Sequence, residues 1–264
     1  MIESLAINAA VLVAAMAVLW RIAVKIGDVS FIDAVWGGGM GVLALVSWAQ
    51  LDHPGTRATL IAGMAAIWAA RLAWHLYTRW RGHGEDPRYA RMLGKAREQG
   101  RFASAALTLV FAPQAVLLFV TCLPAQLGVL GSAAPAAPGA LAIAGAALWL
   151  VGIVFEAVGD AQLNAFRANP ANKGKVLDTG LWRYTRHPNY FGDACVWWGI
   201  WLAAADAGPW IALASMIGPV FLTFTLTKWS GKPLLEKDMA ERRPGYREYV
   251  ERTSGFVPWW PKRR

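Results

Sequence analysis

The stretch LAINAAVLVAAMAVLWRIAV, residues 5–24, holds a single charged residue in twenty positions and decides the fold class. A run of about 20 apolar residues is long enough for a helix to cross about 30 Å of hydrocarbon. A second run of this kind follows at residues 31–50, so we expect the first to be a membrane span and not a cleaved signal peptide. Two such runs in succession predict a helical membrane protein with several spans.

The rest of the chain agrees with this interpretation. Of its 264 residues, 56% are hydrophobic and 16% are charged, which is less charge than a soluble domain usually carries. The predicted fold is all-α, a single domain over residues 1–264 with a basic tail at 228–264. Seven spans are predicted, at residues 5–24, 31–50, 58–78, 103–122, 139–159, 189–205 and 209–227. The uncharged stretch 123–138 is expected to be an external loop.

The basic residues fall on one side of this arrangement. Of the 26 Lys and Arg, 24 lie in the odd-numbered connections or in the tail. Because positively charged connections stay in the cytoplasm, the N-terminus is predicted to be outside and the C-terminus inside. We therefore expect a multi-pass protein of a bacterial inner membrane, with an active site open to the cytoplasm. The same charges suit anionic membrane lipid, while no nucleic-acid-binding module is visible.

The segment DTGLWRYTRHPNYFGD, residues 178–193, has the clearest chemical character. Pro188 suits the first turn of a helix, where its missing N–H costs nothing. The positive end of that helix, together with Arg183, Arg186 and His187, would form a site for phosphate or another anion. The simpler interpretation is a group of basic side chains at the end of a membrane helix, with no ligand.

Two further polar residues open the same predicted helix. Asn189 and Asp193 lie one turn apart, and their side chains suit hydrogen bonds to ribose hydroxyls or a carboxamide. Asp193 stands inside an apolar run, which basic residues at a helix end do not explain. The two cysteines, Cys122 and Cys195, show no metal-ligand spacing, so no metal is expected.

Polar residues also interrupt three other apolar segments. Carboxylates and arginines at membrane depth are expensive, and they normally face a cavity or a partner. FEAVGDAQLNAFRANP, residues 155–170, predicts a helical stripe that is either a binding site or a network of paired side chains. Its members are Glu156, Asp160, Asn164 and Arg167.

The other two interruptions lie nearer the N-terminus. Arg71 falls inside the third span, with His75 one turn later on the same face. GEDPRY, residues 84–89, is either an ordinary polar turn or one that folds over a ligand. Asp33 stands at the membrane edge, where it either begins a helix or belongs to a site.

Together these segments resemble the steroid 5-alpha-reductase family. The resemblance rests on DAQLNAFR (160–167), on TGLWRYTRHPNYFGD (179–193) and on the basic tail with its tyrosines. It covers roughly residues 150–255, and the RHPNYxGD core is shared with sterol C14 and C7 reductases. SFIDAVWG and GEDPRY look like an uncharacterised bacterial branch of the family.

The resemblance implies a membrane oxidoreductase that binds NADPH and delivers hydride to the β-carbon of a lipid-like α,β-unsaturated ketone, such as a 3-oxo-Δ4 steroid. The family's cofactor positions correspond to Asp160, Arg167, Asn189 and Asp193, with Lys175, Arg183, Tyr184 and Arg186 in the same neighbourhood. The candidate cofactor set also includes Glu156, Asn164, His187, Tyr190 and Tyr246. The residues expected to hold the substrate carbonyl are Asp33, Arg71, His75 and Tyr77.

A second enzyme class remains open. The isoprenylcysteine carboxyl methyltransferases, which use S-adenosylmethionine, also carry an RHPxYxG run. Their tails are similar to LLEKDMAERRPGYREYVERT, residues 234–253, whereas Asn189, Asp193 and the 160–167 stripe favour the reductase. A third possibility is a membrane protein without enzymatic activity, such as a transporter, but the repeat symmetry and broken helices expected of one are not evident.

Overall fold

The computed structural model describes residues 1–132, 137–229, 231–236 and 239–262. These residues form helices joined by turns, and one isolated β-bridge joins Thr185 to Ser254. The prediction of an all-helical chain is confirmed.

The helices are numbered in chain order over the described residues. They are α1 (Ile2–Ile26), α2 (Ile32–Ala49), α3 (Thr56–His83), α4 (Pro87–Glu98), α5 (Phe102–Ala106), α6 (Ala112–Thr121), α7 (Leu123–Leu130), α8 (Ala140–Ala168), α9 (Pro188–Ala205), α10 (Pro209–Ser215), α11 (Ile217–Phe224), α12 (Lys232–Glu236), α13 (Met239–Arg242) and α14 (Tyr246–Arg252). Single π-helical turns follow α5 and α11, and 3₁₀ turns occupy Pro170–Asn172 and Gly180–Arg183.

Six helical segments of the described residues are long and apolar enough to cross a membrane. They coincide with six of the seven predicted spans, which fits a polytopic membrane protein. The predicted sixth span corresponds to α9, which begins at Pro188 as expected. Asn189 and Asp193 lower the hydropathy of this helix, and its role as a seventh span stays a prediction.

Contacts divide the chain into two compact units. Unit 1 consists of Met1–Ala142 with Ile200–Gly218, and unit 2 consists of Ile143–Gly199 with Pro219–Arg264. Each unit is described by itself below.

One prediction in unit 1 is wrong. The stretch expected to be an external loop, residues 123–138, begins with the helix α7, and residues 124–129 of that helix are buried. Pro124 lies in its first turn, where proline is tolerated, and the helix packs against α2 and α3. We interpreted the absence of charged residues in this stretch as a sign of a loop, whereas it allows the helix α7 to be buried. Residues 133–136 of the same stretch lie outside the described residues.

A buried hydrogen-bond network also stabilises unit 1. Asn8 of α1 donates from Nδ2 to Ser47 Oγ (2.7 Å) and to Gln126 Oε1 (2.9 Å). Gln50 in turn donates to Asn8 Oδ1 at 2.9 Å. Since Asn8, Ser47 and Gln126 have no exposed surface, these bonds remove the cost of placing amides among apolar side chains.

In unit 2, glycines bring α8 and α9 into backbone contact. A Cβ placed on Gly192 would lie 2.5 Å from the backbone nitrogen of Glu156 and 2.5 Å from the carbonyl oxygen of Gly152. Gly199, one heptad later, approaches the carbonyl oxygen of Gly145 in the same way. Small residues at such spacing let membrane helices pack closely. The close approach sets how the polar residues of the two helices meet.

We expect Gly192→Ala to lower the melting temperature of the detergent-purified protein by several degrees. The added methyl group meets backbone atoms that cannot move without separating the helices, at a cost of about 1–3 kcal/mol. Gly63→Ala on α3 is the matched control, because a Cβ there has no atom within 4 Å. Equal melting temperatures for the two variants would show that α8 and α9 do not pack this closely.

Candidate functional site

The helix pair of unit 2 joins two residues predicted from separate segments. Asn189 Nδ2 donates to Asp160 Oδ1 at 3.0 Å, and Asn189 Oδ1 accepts from the backbone nitrogen of Tyr190 at 3.0 Å. Gly159 lies beneath this contact, since a Cβ there would be 3.1 Å from Pro188 and 3.2 Å from the nitrogen of Asn189. The predicted stripe and the predicted helix start are therefore adjacent in the structure.

The stripe on α8 divides into a buried half and an exposed half. Glu156 is 3% exposed and Asp160 is 7% exposed, while Asn164 and Arg167 lie at the surface. Asp193, one turn after Asn189, is half-buried. Burial of acidic side chains on an apolar helix pair is costly, so these residues are candidates for a functional site.

Beside this pair, a carboxylate from the tail contacts two of the predicted anion-binding residues. Glu236 Oε1 accepts from Arg186 Nε at 2.9 Å, and His187 Nε2 lies 2.8 Å from the same oxygen. The His187 ring stacks on Tyr190, with 5.3 Å between centroids. Arg186 and His187 are both buried.

Arg186 also binds the end of the tail. Its Nη1 donates to the carbonyl oxygens of Val250 (3.1 Å) and Thr253 (2.7 Å), and its backbone nitrogen donates to the carbonyl oxygen of Ser254. The guanidinium thus caps the last turn of α14, where a positive charge is favourable. Any anionic ligand that reached Arg186 would compete with Glu236 and with these carbonyl groups.

These contacts perturb the titration of two tail residues. Burial alone would raise the pKa of Glu236, but hydrogen bonds from His187 and Arg186 and the charge of Arg186 outweigh it and lower the pKa to about 2. Burial, followed by the nearby charge of Glu236, raises the pKa of Tyr246 to about 12. Glu236 is therefore ionised and Tyr246 protonated at neutral pH.

The remaining basic candidates of unit 2 face outward. Lys175 and Arg183 are exposed, and Lys175 lines an open depression of about 720 Å³ together with Lys173 and Arg252. Tyr184 packs edge-on against Trp260, with ring centroids 5.5 Å apart. Long exposed cationic side chains of this kind can reach a phosphate that the buried groups cannot.

In unit 1, the structure gives Asp33 a partner that the sequence did not predict. Tyr89 donates from its hydroxyl to Asp33 Oδ1 at 2.6 Å, and Arg88 Nη2 donates to Asp33 Oδ2 at 2.7 Å. Gln114 Nε2 donates to the Tyr89 hydroxyl at 3.1 Å. Burial first, and the adjacent Asp33 carboxylate second, raise the pKa of Tyr89 well above its usual range. Tyr89 is thus a buried phenol that keeps its proton.

The other predicted catalytic residues lie along α3. Arg71 and His75 are half-buried, and the exposed ring of Tyr77 lies 5.8 Å from that of Trp80. Within the described part of the chain, no group of three or more His, Cys, Asp or Glu could hold a metal ion.

Sequence reasoning missed Tyr89 and Glu236 for different reasons. Tyr89 lies in GEDPRY, which we interpreted as a turn, whereas Asp86 accepts from the backbone nitrogen of Arg88 and begins the helix α4. The Asp-Pro pair was the available signal, since it matches an N-cap followed by a first-turn proline. No local pattern indicates that Glu236 contacts Arg186 and His187, which lie 50 and 49 positions earlier.

We expect Glu236→Gln to destabilise the protein by roughly 2–4 kcal/mol at neutral pH, because it leaves the buried Arg186 beside a neutral amide. The folded-state pKa of Glu236 lies below its usual 4.5, so its contribution is complete above pH 4.5 and is lost as the pH falls toward about 2. The melting temperatures of wild type and variant should therefore converge over that interval. Glu251→Gln, at an exposed position of the same tail, is the control. A constant difference at all pH values would contradict this assignment.

Comparison with known proteins finds one protein that is similar over a short stretch and one family that matches most of the chain. A 61-residue stretch is 41% identical to "Probable O-methyltransferase ustE" of Ustilaginoidea virens, and it covers 23% of this chain. The chain spans 21% of the length of that curated relative. No solved structure matches. The model of the family described as "Protein of unknown function (DUF1295)" matches residues 19–253, and the chain belongs to that family.

Proposed function

We propose that this protein is a membrane-embedded, NADPH-dependent reductase of α,β-unsaturated carbonyl groups on lipid-like molecules. The observation that carries the proposal is the half-buried hydrogen bond between Asn189 and Asp160, at the start of α9. Both residues match cofactor positions of the resemblance to steroid 5-alpha-reductases. With α9 as a seventh span of a bacterial inner membrane, the N-terminus is outside. The tail then lies on the cytoplasmic side, where NADPH is available.

The side chains of unit 2 fit such a cofactor by their chemistry. Asn189, Asp160 and Asp193 offer the amide and carboxylate groups that pair with a carboxamide or with ribose hydroxyls. Arg167, Lys175 and Arg183 offer exposed cationic groups for phosphates. When bound there, NADPH would supply the hydride, and the protein orients it and excludes water.

A protonated phenol in unit 1, Tyr89, supports the proposal as a candidate hydrogen-bond donor to the substrate carbonyl. The Tyr89 hydroxyl is protonated, buried and oriented by Asp33 and Gln114. The phenol has a single proton, which Asp33 accepts in this structure, so a substrate carbonyl oxygen has to replace Asp33 as the acceptor before the phenol stabilises the negative charge that develops on that oxygen. Asp33 positions the phenol until the substrate carbonyl takes its place.

An S-adenosylmethionine-dependent methyltransferase is the second candidate. It is favoured by the stretch 41% identical to a probable O-methyltransferase and by the similarity of the tail to isoprenylcysteine carboxyl methyltransferases. The Asn189–Asp160 pair favours the reductase, because the resemblance assigns both residues to that family's cofactor site.

The first test is a thermal-shift titration of purified protein with NADPH, NADH and S-adenosylmethionine. A ligand of the native state raises the melting temperature by mass action. We expect NADPH to stabilise the protein more than NADH does. In Asn189→Ala or Arg167→Ala, the NADPH concentration needed for the same rise in melting temperature should increase at least about tenfold. The control is Asn169→Ala, at an exposed asparagine just beyond α8. Stabilisation by S-adenosylmethionine alone would reject the reductase in favour of the methyltransferase.

Tyr89→Phe separates binding from chemistry. We expect the variant to keep its stabilisation by NADPH, because the proposed cofactor residues lie in unit 2. Its rate of enone-dependent NADPH oxidation should fall by about 10²-fold or more, the usual effect of removing one donor to a developing oxyanion. An unchanged rate of NADPH oxidation would exclude Tyr89 as the donor.

A further inference from the structure

Residues 254–262, SGFVPWWPK, contain no helix and run beside the residues that precede α9 in unit 2. We call them the C-terminal strap. The backbone nitrogen of Arg186 donates to the carbonyl oxygen of Ser254 at 2.9 Å, and the backbone nitrogen of Trp259 donates to the carbonyl oxygen of Tyr184 at 3.0 Å. Because the strap is hydrogen-bonded at two points to the same short segment, its backbone is held in place between them.

Three large apolar side chains of the strap are exposed. The exposed fraction is 57% for Val257, 71% for Trp259 and 74% for Trp260. Pro258 and Pro261 flank the two tryptophans, and the fixed φ of proline keeps the backbone extended there. Clustered exposed apolar side chains mark an interaction surface, and tryptophan is enriched where a membrane meets water.

Aromatic contacts show which level of the helix pair the strap reaches. Thr185 Oγ1 donates to the carbonyl oxygen of Phe256 at 2.7 Å. The ring of Phe256 lies 6.1 Å from that of Phe191, in the first turn of α9, and Phe191 lies 5.1 Å from Phe155 of α8. The strap therefore meets the helix pair close to the level of Phe155.

The exposed surface of α8 changes character just beyond that level. Val154 and Val158 are exposed on the apolar part of this candidate membrane span, whereas Asn164 and Arg167 are exposed on its last two turns. The change from apolar to polar surface marks the edge of the hydrocarbon on a membrane helix. The strap thus lies near the depth at which lipid head groups begin.

Basic side chains accompany the exposed tryptophans. Lys262 follows Trp260 by two residues and is exposed, and its backbone nitrogen donates to the carbonyl oxygen of Arg252 at 3.0 Å. Arg183 is also exposed and directly precedes Tyr184, whose ring packs against that of Trp260. The strap contains no Asp or Glu. Indole rings together with cationic groups suit an interface rich in anionic phospholipid.

We propose that the C-terminal strap is a membrane-surface anchor that binds anionic phospholipid. Trp259 and Trp260 enter the head-group level of the bilayer, and Lys262 and Arg183 contact lipid phosphates. The bilayer is the occupant that these residues select, because the strap packs against a helix that is itself apolar enough to cross a membrane. The inference goes beyond the proposed function, since it does not depend on which reaction the protein catalyses.

Spin labelling of the full-length protein tests the anchor. A nitroxide is attached to Val257→Cys in a background without the native thiols, Cys122→Ala and Cys195→Ala. The protein is placed in nanodiscs of phosphatidylcholine alone or with about 30% phosphatidylglycerol. Oxygen concentrates in hydrocarbon and a nickel chelate stays in water, so their collision rates give the depth of the label. Labels at Val154→Cys, on the apolar face of α8, and at Ala171→Cys, in the exposed turn beyond α8, provide the two reference depths.

We expect the Val257→Cys label to lie between the two references, and deeper with phosphatidylglycerol than without it. Trp259→Ala combined with Trp260→Ala should raise its collision rate with the nickel chelate at least about threefold, because the indoles that hold the strap at the interface are lost. Lys262→Glu should abolish the effect of phosphatidylglycerol. This single surface substitution keeps the test valid if the double variant fails to fold. Trp210→Ala is the matched control, since Trp210 is a 79% exposed tryptophan of unit 1 and its loss should leave the depth unchanged.

Three results would overturn the inference. The first is a Val257→Cys label as accessible to the chelate as the Ala171→Cys label, or unaffected by loss of both tryptophans. The second is an equal depth in the two lipid compositions, which would exclude anionic lipid as the partner. The third is spin–spin broadening at Val257→Cys, which would identify a second copy of the chain as the occupant of this surface.

Discussion

Glycines on α8 and α9 allow backbone atoms of the two helices to touch, and the candidate cofactor residues depend on that approach. At Gly192 the space for a side chain is already taken by the nitrogen of Glu156 and the carbonyl oxygen of Gly152. At this separation the short side chain of Asn189 reaches Asp160 directly. A wider spacing would take this partner from the half-buried amide of Asn189, and an unsatisfied polar group in an apolar environment is costly.

Electrostatics organise the tail around the same helix start. Arg186 is buried, so its charge must be balanced nearby, and Glu236 and the carbonyl groups at the end of α14 provide that balance. Arg252 pairs with Asp178, and the Tyr249 hydroxyl donates to the carbonyl oxygen of Trp182. The tail is thus bound by groups from the segment that precedes α9. Arg186, which the sequence predicted as part of an anion-binding site, thus also holds the C-terminal tail in place.

The parts of this structure that could be predicted are those with local causes. Long apolar runs determine the helices, and the fixed φ of Pro188 marks where α9 begins. The prediction failed where burial depends on distant neighbours, as for α7, whose uncharged sequence suits a loop and a buried helix equally. The Asp33–Tyr89 contact joins residues 56 positions apart and has no periodic signature. The proximity of Asn189 to Asp160 was implied by a family resemblance and not by spacing.

The network around Asn8 has a consequence for the biosynthesis of the chain. Asn8 belongs to α1, which is made before α7, yet one of its partners, Gln126 of α7, lies 118 residues later. In hydrocarbon, an amide without a partner is unfavourable, and no water is present to satisfy it. Helix α1 is therefore made with an incomplete set of hydrogen bonds and completes them only after α7 has been made. Helix α1 is thus synthesised well before it can reach its final contacts.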